Sequence, residues 1–232
     1  ALADGIEVRH LRMAQPSLSG ARNLGIAEAR HEILAFPDDD CWYEPDVISR
    51  VRQAFLQNTL LKGVIGCWVE QAGSGSINRP YALELAAWRR FRGGAASSIS
   101  LFLKRELFDT MGGFDERFGV GQWYGAAEET DFILRALAAG AQLQFRPEVR
   151  VHHAFTSEAV GKLAGLCRQA RRRSRGTGAL YAKHSLSPWV IARGVVAPIF
   201  VPLSQGKLKA AIKGLYISLG RVEGYVRWKL GG

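Results

Sequence analysis

The chain has 232 residues, is 47% hydrophobic and 22% charged, and carries a formal net charge of +10. That balance is globular: it excludes low-hydropathy disorder and collagen-like repetition, and the length suits one domain, or one domain with an appendage. The charge is uneven, because residues 1–150 carry a net −2 while residues 151–232 hold 14 Lys+Arg against only Glu158 and Glu223 and carry +12, so the tail calls for an anionic partner.

Cys41, Cys67 and Cys167 have no short pairing and give neither a disulfide framework nor a zinc motif, which points to a reducing cytosol. Nothing in Ala1 to His10 reads as a secretory signal. Ile6 to His10 reads as a short strand, and Ser19 is placed to cap a helix over about Gly20 to Arg30. Glu32-Ile-Leu-Ala-Phe-Pro is a buried strand ending in Asp38-Asp39-Asp40. A helix follows with Pro45 in its first turn and Val47, Ile48, Val51, Phe55 and Leu56 on one face. Gly63 to Glu70 is the next strand, Gln71 to Pro80 a Gly/Ser loop, and Ser98 to Leu103 a strand leading into a short helix from Lys104 to Met111. A glycine-rich loop, Gly112 to Gly125, precedes a helix over about Ala126 to Ala139 that Gly140 closes. Strands over Gln142 to Arg146 and Val149 to His153 come last, and beyond Thr156 the pattern is helical only. Alternating strands and helices predict an α/β fold, a mostly parallel sheet with helices on both faces.

Three aspartates at the end of an apolar strand stand where α/β sheets place their ligands. Asp38 and Asp40 emerge in similar directions and can hold a hard cation, Mg²⁺ or Mn²⁺, completed by diphosphate oxygens. The alternative is a solvated acidic turn, against which the mutual repulsion of three carboxylates argues. Glu128-Glu129-Thr130-Asp131 opens a helix, where carboxylates either face the helix dipole or supply a general base. His152 and His153 end the last strand, as a polar edge or as a further ligand for metal or phosphate.

In this order and spacing, residues 5–155 resemble the family 2 glycosyltransferases of the GT-A fold. The resemblance rests on Ser19-Gly-Ala-Arg-Asn-Leu-Gly-Ile-Ala-Glu-Ala, on Ile33-Leu-Ala-Phe-Pro-Asp-Asp-Asp with Glu44-Pro-Asp, on Gly112-Gly-Phe-Asp-Glu-Arg-Phe, and on Glu128-Glu-Thr-Asp-Phe. It implies Asp38 and Asp40 as the D-x-D pair, with Asp40 the direct metal ligand and Asp39 beside the donor. It implies Glu129 as catalytic base, a glutamate where the family usually has aspartate, with Glu128 as its rival; Asp131 orients the helix. His153, with His152 as rival, matches the family's histidine near metal and diphosphate. Arg22 and Asn23 match a donor-pocket segment, and Gly113, Phe114, Asp115 and Trp123 an acceptor-side loop. The implied activity is inverting, metal-dependent transfer from a nucleotide-sugar donor to a saccharide or lipid-linked acceptor, in cell-surface polysaccharide or glycolipid synthesis. Against the family pattern the chain opens at the third strand, so the GT-A-like sheet is expected to be N-terminally incomplete. A noncatalytic transferase-fold module docking on a membrane or partner protein is the alternative.

Residues 1–155 are thus expected to form the transferase core and residues 156–232 a basic amphipathic helical extension. Arg168, Arg171, Arg172, Arg173 and Arg175 crowd one stretch. Trp189 to Leu203 is an apolar run of 15 residues, about 22 Å if helical and short of a bilayer core of about 30 Å. The last helix carries Leu208, Ala211, Ile212, Leu215, Leu219, Val222 and Val226 on one stripe, which either packs on the core or lies in a membrane interface. The +12 surplus favours an anionic bilayer, met through Arg171, Arg172 and Arg173 with Trp189 and Trp228 at headgroup level. The expected location is cytoplasmic, peripheral on the inner face of the membrane. No zinc finger or RNA-binding motif is present, so nucleic acid is not an expected partner.

Overall fold

The computed structural model describes residues 7–70, 79–92, 96–153 and 163–231. Helix α1 (Leu18–Glu28) is capped by Ser17, whose hydroxyl accepts from the Gly20 N–H at 3.1 Å. The expected cap, Ser19, is instead buried and donates to the Phe118 carbonyl at 2.8 Å. Residues 7–10 form no strand; an extended segment needs a paired neighbour to become one, and Val8 is exposed.

Strands β1 (Ile33–Ala35), β2 (Cys41–Tyr43), β3 (Leu61–Trp68), β4 (Tyr81–Ala82), β5 (Leu101–Lys104) and β6 (Gln142–His153) form one sheet, ordered β1-β5-β3-β6-β2 with β4 also on β6. The α/β class and the helices on both faces are those expected, but the strand directions are not. Among the described residues β3–β6 is the one parallel pair, and β5 runs antiparallel to both β1 and β3. Alternation of element types predicts crossovers, yet β5 enters from a single 3₁₀ turn at Ser98–Ser100, and an antiparallel neighbour needs no crossover helix. The two strands expected at the end are one: β6 runs through Pro147, and its register with β3 jumps from Gly66↔Arg146 to Cys67↔Arg150. Proline has no N–H for the ladder, so the strand bulges there. Gly66 makes room for the bulge, since a β-carbon on it would lie 2.9 Å from Val149 Cγ1.

On one face of the sheet α2 (Val47–Gln57) buries Val47, Val51 and Phe55 against Val64, Phe102 and Val151. Ile48 and Leu56 point to solvent, so the buried stripe is narrower than the sequence reading had it. On the other face, α4 (Arg105–Met111) and α5 (Glu128–Ala138) close over Phe36, Leu103 and Phe114, with Phe132 stacked on Phe108 at 4.6 Å. A fully buried Phe of this kind contributes about 1.5–3 kcal/mol. The short helix α3 (Leu85–Arg89) buries Trp88 in the same cluster.

Three long helices follow, α6 (Leu163–Lys183), α7 (Pro188–Ser204) and α8 (Leu208–Lys229). Helix α8 turns its small residues, Ala211, Gly214, Ser218, Gly220 and Gly224, toward α6 and α7. Glycine is needed for that approach: a β-carbon on Gly224 would collide with the Arg175 carbonyl. Leu208, Ile212, Leu215, Leu219, Val222 and Val226 therefore face outward, 39–65% exposed. Ala211, expected on that stripe, is buried. None of the described helices is long and apolar enough to cross a membrane.

Candidate active site

The turn Asp38–Asp40 joins β1 to β2, and β2 lies antiparallel to the end of β6 with Cys41 opposite His153 and Trp42 opposite His152. Side chains alternate across a strand, so the two histidines go to opposite faces. His153 reaches the aspartates: its Nε2 is 3.0 Å from Asp40 Oδ1 and 4.0 Å from Asp38 Oδ2. Ligand atoms of all three lie within 4.8 Å of one another. Two carboxylates and one imidazole form a donor set that fits Mn²⁺ or Mg²⁺, with oxygen donors in the majority. The His153 ring packs against Trp68 at 5.3 Å, and its backbone N–H donates to Glu70 Oε2 at 3.2 Å. His152 lies outside this cluster. Its Nδ1 is 2.7 Å from Glu70 Oε1, its Nε2 is 3.3 Å from Glu44 Oε1, and its ring stacks on Trp42 at 5.2 Å. The hydrogen bond to Glu70 raises its pKa, and Glu44 adds to the effect. Asp39 is exposed in the turn.

Helix α5 starts after Ala127, a non-glycine residue with φ 91°. Its first turn carries Glu128, Glu129 and Asp131, which part company at once. Glu128 is buried and accepts from Arg22 Nη1 at 3.1 Å. Glu129, its side chain 16% exposed, lies 3.6 Å from the same guanidinium nitrogen and accepts from the Ser98 N–H at 3.3 Å. Burial and the neighbouring Glu128 charge push the Glu129 carboxyl up to about 7, against the opposing pull of Arg22. A carboxylate held at that value can accept a proton near neutral pH.

Arg22, at 8% side-chain exposure, joins the two halves of the site. It also donates to Ser98 Oγ at 2.6 Å and lies 3.9 Å from Asp38 Oδ1. One guanidinium thus spans Asp38 and the Glu128–Glu129 pair, a bridging position that the sequence pattern did not reveal. The Asn23 side chain is engaged with backbone. It clamps the loop after α4, accepting from the Phe114 N–H at 2.8 Å and donating to the Phe114 carbonyl at 2.9 Å. Gly113 is packed under that clamp, where a side chain would strike Asn23. Phe114, expected to face the acceptor, is a core residue set edge-on against Phe36 at 5.3 Å.

Asp115 is tied to Arg117 at 2.7 Å and to Lys183 at 2.8 Å, which holds its carboxyl far below the usual range despite partial burial. Lys183 also reaches Asp131 at 2.7 Å, as do His184 at 2.8 Å and Arg135 at 2.9 Å. Fully buried, Asp131 connects α5 to the end of α6. Sequence reasoning missed Lys183 and His184; nothing local marks them, since His184 acts 53 residues away from Asp131 and Lys183 acts 68 residues away from Asp115. Trp123 is partly buried, with two arginines against its ring. Trp228, expected at a headgroup surface, instead stacks on Phe118 at 5.4 Å with the Arg117 guanidinium 3.9 Å from its ring centre. Trp189 is 73% exposed. Arg172 and Arg173 are exposed on α6, whereas Arg171 bonds Glu223 of α8. A groove of about 470 Å³ runs between α1 and β1 and ends at Arg22 and Asp38.

The family described as Glycosyl transferase family 2 matches residues 1–112. No curated protein matches the chain. Among solved structures it is similar to the mannosyltransferase PcManGT from Pyrobaculum calidifontis, in complex with GDP-Man and Mn²⁺, at 16% identity and a TM-score of 0.56. The match covers 89% of this chain and 66% of that one, so this chain spans just under two thirds of the length of the structure it resembles. The likeness shows the fold, that of a GT-A glycosyltransferase.

Proposed function

We propose that this chain, whose residues 1–112 match the family described as Glycosyl transferase family 2, is a glycosyltransferase that transfers a sugar from a nucleotide-sugar donor to a hydroxyl of a saccharide or lipid-linked acceptor with inversion of configuration. The observation that carries the reading is the shared arginine: Arg22 touches Glu128 and Glu129 on one side and approaches Asp38 on the other, so a cation site and a carboxylate of raised pKa border one space. The solved neighbour's complex with GDP-Man and Mn²⁺ supports a nucleotide-sugar donor and a divalent ion in this fold.

Asp38, Asp40 and His153 would hold Mn²⁺ or Mg²⁺, which when bound neutralises negative charge on a diphosphate leaving group. Glu129 takes the proton of the acceptor hydroxyl as its oxygen attacks the anomeric carbon from the side opposite the diphosphate, and that direction of attack inverts the centre. Glu128 keeps Arg22 in place and, by its charge, keeps Glu129 basic enough to accept the proton. The nearly closed setting of Glu129 limits competing water.

Residues 1–155 act in this reading as the transferase core, and residues 156–232 as an extension that lays α7 and α8 on an anionic membrane surface, on its inner face. The outward apolar stripe of α8, flanked by Lys207, Lys209 and Lys213, supports this placement. The setting fits cell-surface polysaccharide or glycolipid synthesis.

The test is release of nucleoside diphosphate from a panel of UDP-, GDP- and TDP-sugars by the purified chain with Mn²⁺ and simple glycoside acceptors. Turnover by wild type that Glu129→Gln abolishes is expected. Turnover equal in wild type and Glu129→Gln, or none with any donor, overturns the reading.

A further inference from the structure

At the C-terminal end of α8 a cationic recess meets the apolar stripe. Trp123 lines it and has two guanidiniums against its ring, with Arg175 Cζ 4.4 Å and Arg227 Cζ 4.3 Å from the ring centroid. Val226 and Leu230, both exposed and in line with Leu215, Leu219 and Val222, form its apolar lip. The recess is open to solvent and about 500 Å³ in volume.

The charge balance there is positive. Glu223 is the acid that lines the recess, and its carboxylate already accepts from Arg171 and, at 2.9 Å, from Arg175 Nε. Burial of that carboxylate is opposed by these bonds, and its pKa is lowered, so it stays ionised and satisfied. Arg171, Arg175 and Arg227 therefore leave positive charge over. A guanidinium stacked on a ring keeps its N–H edge free in the ring plane's direction, and that edge fits phosphate oxygens in pairs.

We propose that this recess binds the phosphate headgroup of an amphiphile whose apolar chain lies along the α8 stripe. The stripe and the recess are continuous through Val222 and Val226, so a single molecule with a phosphate head and a hydrocarbon tail satisfies both surfaces at once. A nucleic acid fits less well, because the Trp123 ring is already engaged by the Arg175 and Arg227 guanidiniums and the apolar stripe offers a phosphate backbone nothing. A second copy of the chain fits less well too. Pairing two α8 stripes would bring Lys209, Lys213, Arg221 and Arg227 of each copy together, with Glu223 as the acid on the helix and already bonded.

The proposal rests on the tail being the membrane-facing part of the molecule, and the test separates the two. Calorimetry of the full chain uses dihexanoyl phosphatidate below its micelle concentration, with dihexanoylglycerol and inorganic phosphate as its two halves. Saturable binding of the phosphatidate is expected, with either half at least about tenfold weaker, and Arg227→Ala, a change at an exposed position, should weaken it about tenfold or more. Arg227→Lys should recover part of the loss, because the charge returns without the fork. Unchanged affinity in Arg227→Ala, or equal binding of dihexanoylglycerol, overturns the proposal. Equal binding of inorganic phosphate reduces the recess to an anion site and overturns the amphiphile. A parallel arm with phosphatidylcholine vesicles containing graded phosphatidate isolates the other reading. If monomeric phosphatidate binds and no vesicle does, the recess stands and the membrane placement fails.

Discussion

Gly176 of α6 lies so close to the carbonyl of Ala126 that a β-carbon on Gly176 would sit well inside van der Waals contact with that oxygen. The same β-carbon would lie 3.2 Å from Cβ of Ala127, the residue of positive φ that precedes Glu128. The helical tail thus presses directly on the start of the helix that presents Glu129. Nearby, a β-carbon on Gly125 would be 3.2 Å from Arg172 Cγ, so the contact extends along one face of α6.

The first prediction follows from that contact. Gly176→Ala must displace backbone rather than a flexible side chain, and overpacking of this kind costs about 1–3 kcal/mol. Turnover should fall with donor affinity nearly unchanged, because the displaced group is the base and not the cation site. Ala127→Gly should be tolerated, since glycine accepts the left-handed backbone, whereas Ala127→Val should lower the melting temperature. Steady-state kinetics and thermal melts of the three variants check it; a Gly176→Ala enzyme with wild-type turnover would detach the tail from catalysis.

Glu129 gives a pH prediction with a definite sign. With its carboxyl raised to about 7, the base is protonated and idle below that value, so turnover should rise with pH through neutrality. Stability should move the other way. A carboxyl whose folded pKa lies above its unfolded value holds its proton better when folded, so the chain loses stability as pH rises from the unfolded value toward 7. Glu129→Gln should flatten that loss and cut turnover at least about a hundredfold. Urea midpoints of both proteins across this range, beside a pH–rate profile, measure the two effects, and a larger kinetic loss in Glu128→Gln would move the role to Glu128.

Asp38, Asp40 and His153 should bind Mn²⁺ with an affinity that rises when GDP or UDP is present, because three protein ligands leave positions for diphosphate oxygens. Asp40→Ala should abolish the titration, and His152→Ala should leave most of it, since that imidazole is engaged with Glu44 and Glu70. Calorimetry with MnCl₂ reads both, and equal losses in the two variants would contradict the geometry.

Asp131 is predicted to be a stability determinant. Asp131→Asn leaves Lys183, Arg135 and His184 around a group without charge in the interior, a change that costs about 3–5 kcal/mol where a buried pair is broken. Its pKa is lowered, although burial opposes this, by the bonds from His184 and Lys183. The contribution is therefore present above the unfolded carboxylate value and fades as pH falls through the lower folded one. Denaturant unfolding of wild type and Asp131→Asn should differ by several kcal/mol at pH 7 and converge in strong acid; parallel curves at all pH values would refute the electrostatic account.

The residue order alone placed α1, β1, α2, β3, β5, α4 and α5, because hydrophobic period and turn residues are local, and it missed β2, β4 and α3, whose short segments become elements only beside a tertiary neighbour. It marked Asp38 and Asp40 at a strand end, the carboxylates of Glu128 to Asp131 in a first helical turn, and the concentration of positive charge beyond residue 150. The spacing of Leu208 to Val226 was legible too, but not which way it faces: glycines on the opposite side of α8 let the helix approach its neighbours backbone to backbone, and that turns the larger side chains outward. Between His152 and His153 only the β2–β6 register decides, since a shift of one residue would exchange their faces. Arg22 meets Glu128 across 106 residues and His184 meets Asp131 across 53. Such pairings are chosen by how the sheet and helices pack, and no short-range pattern encodes them.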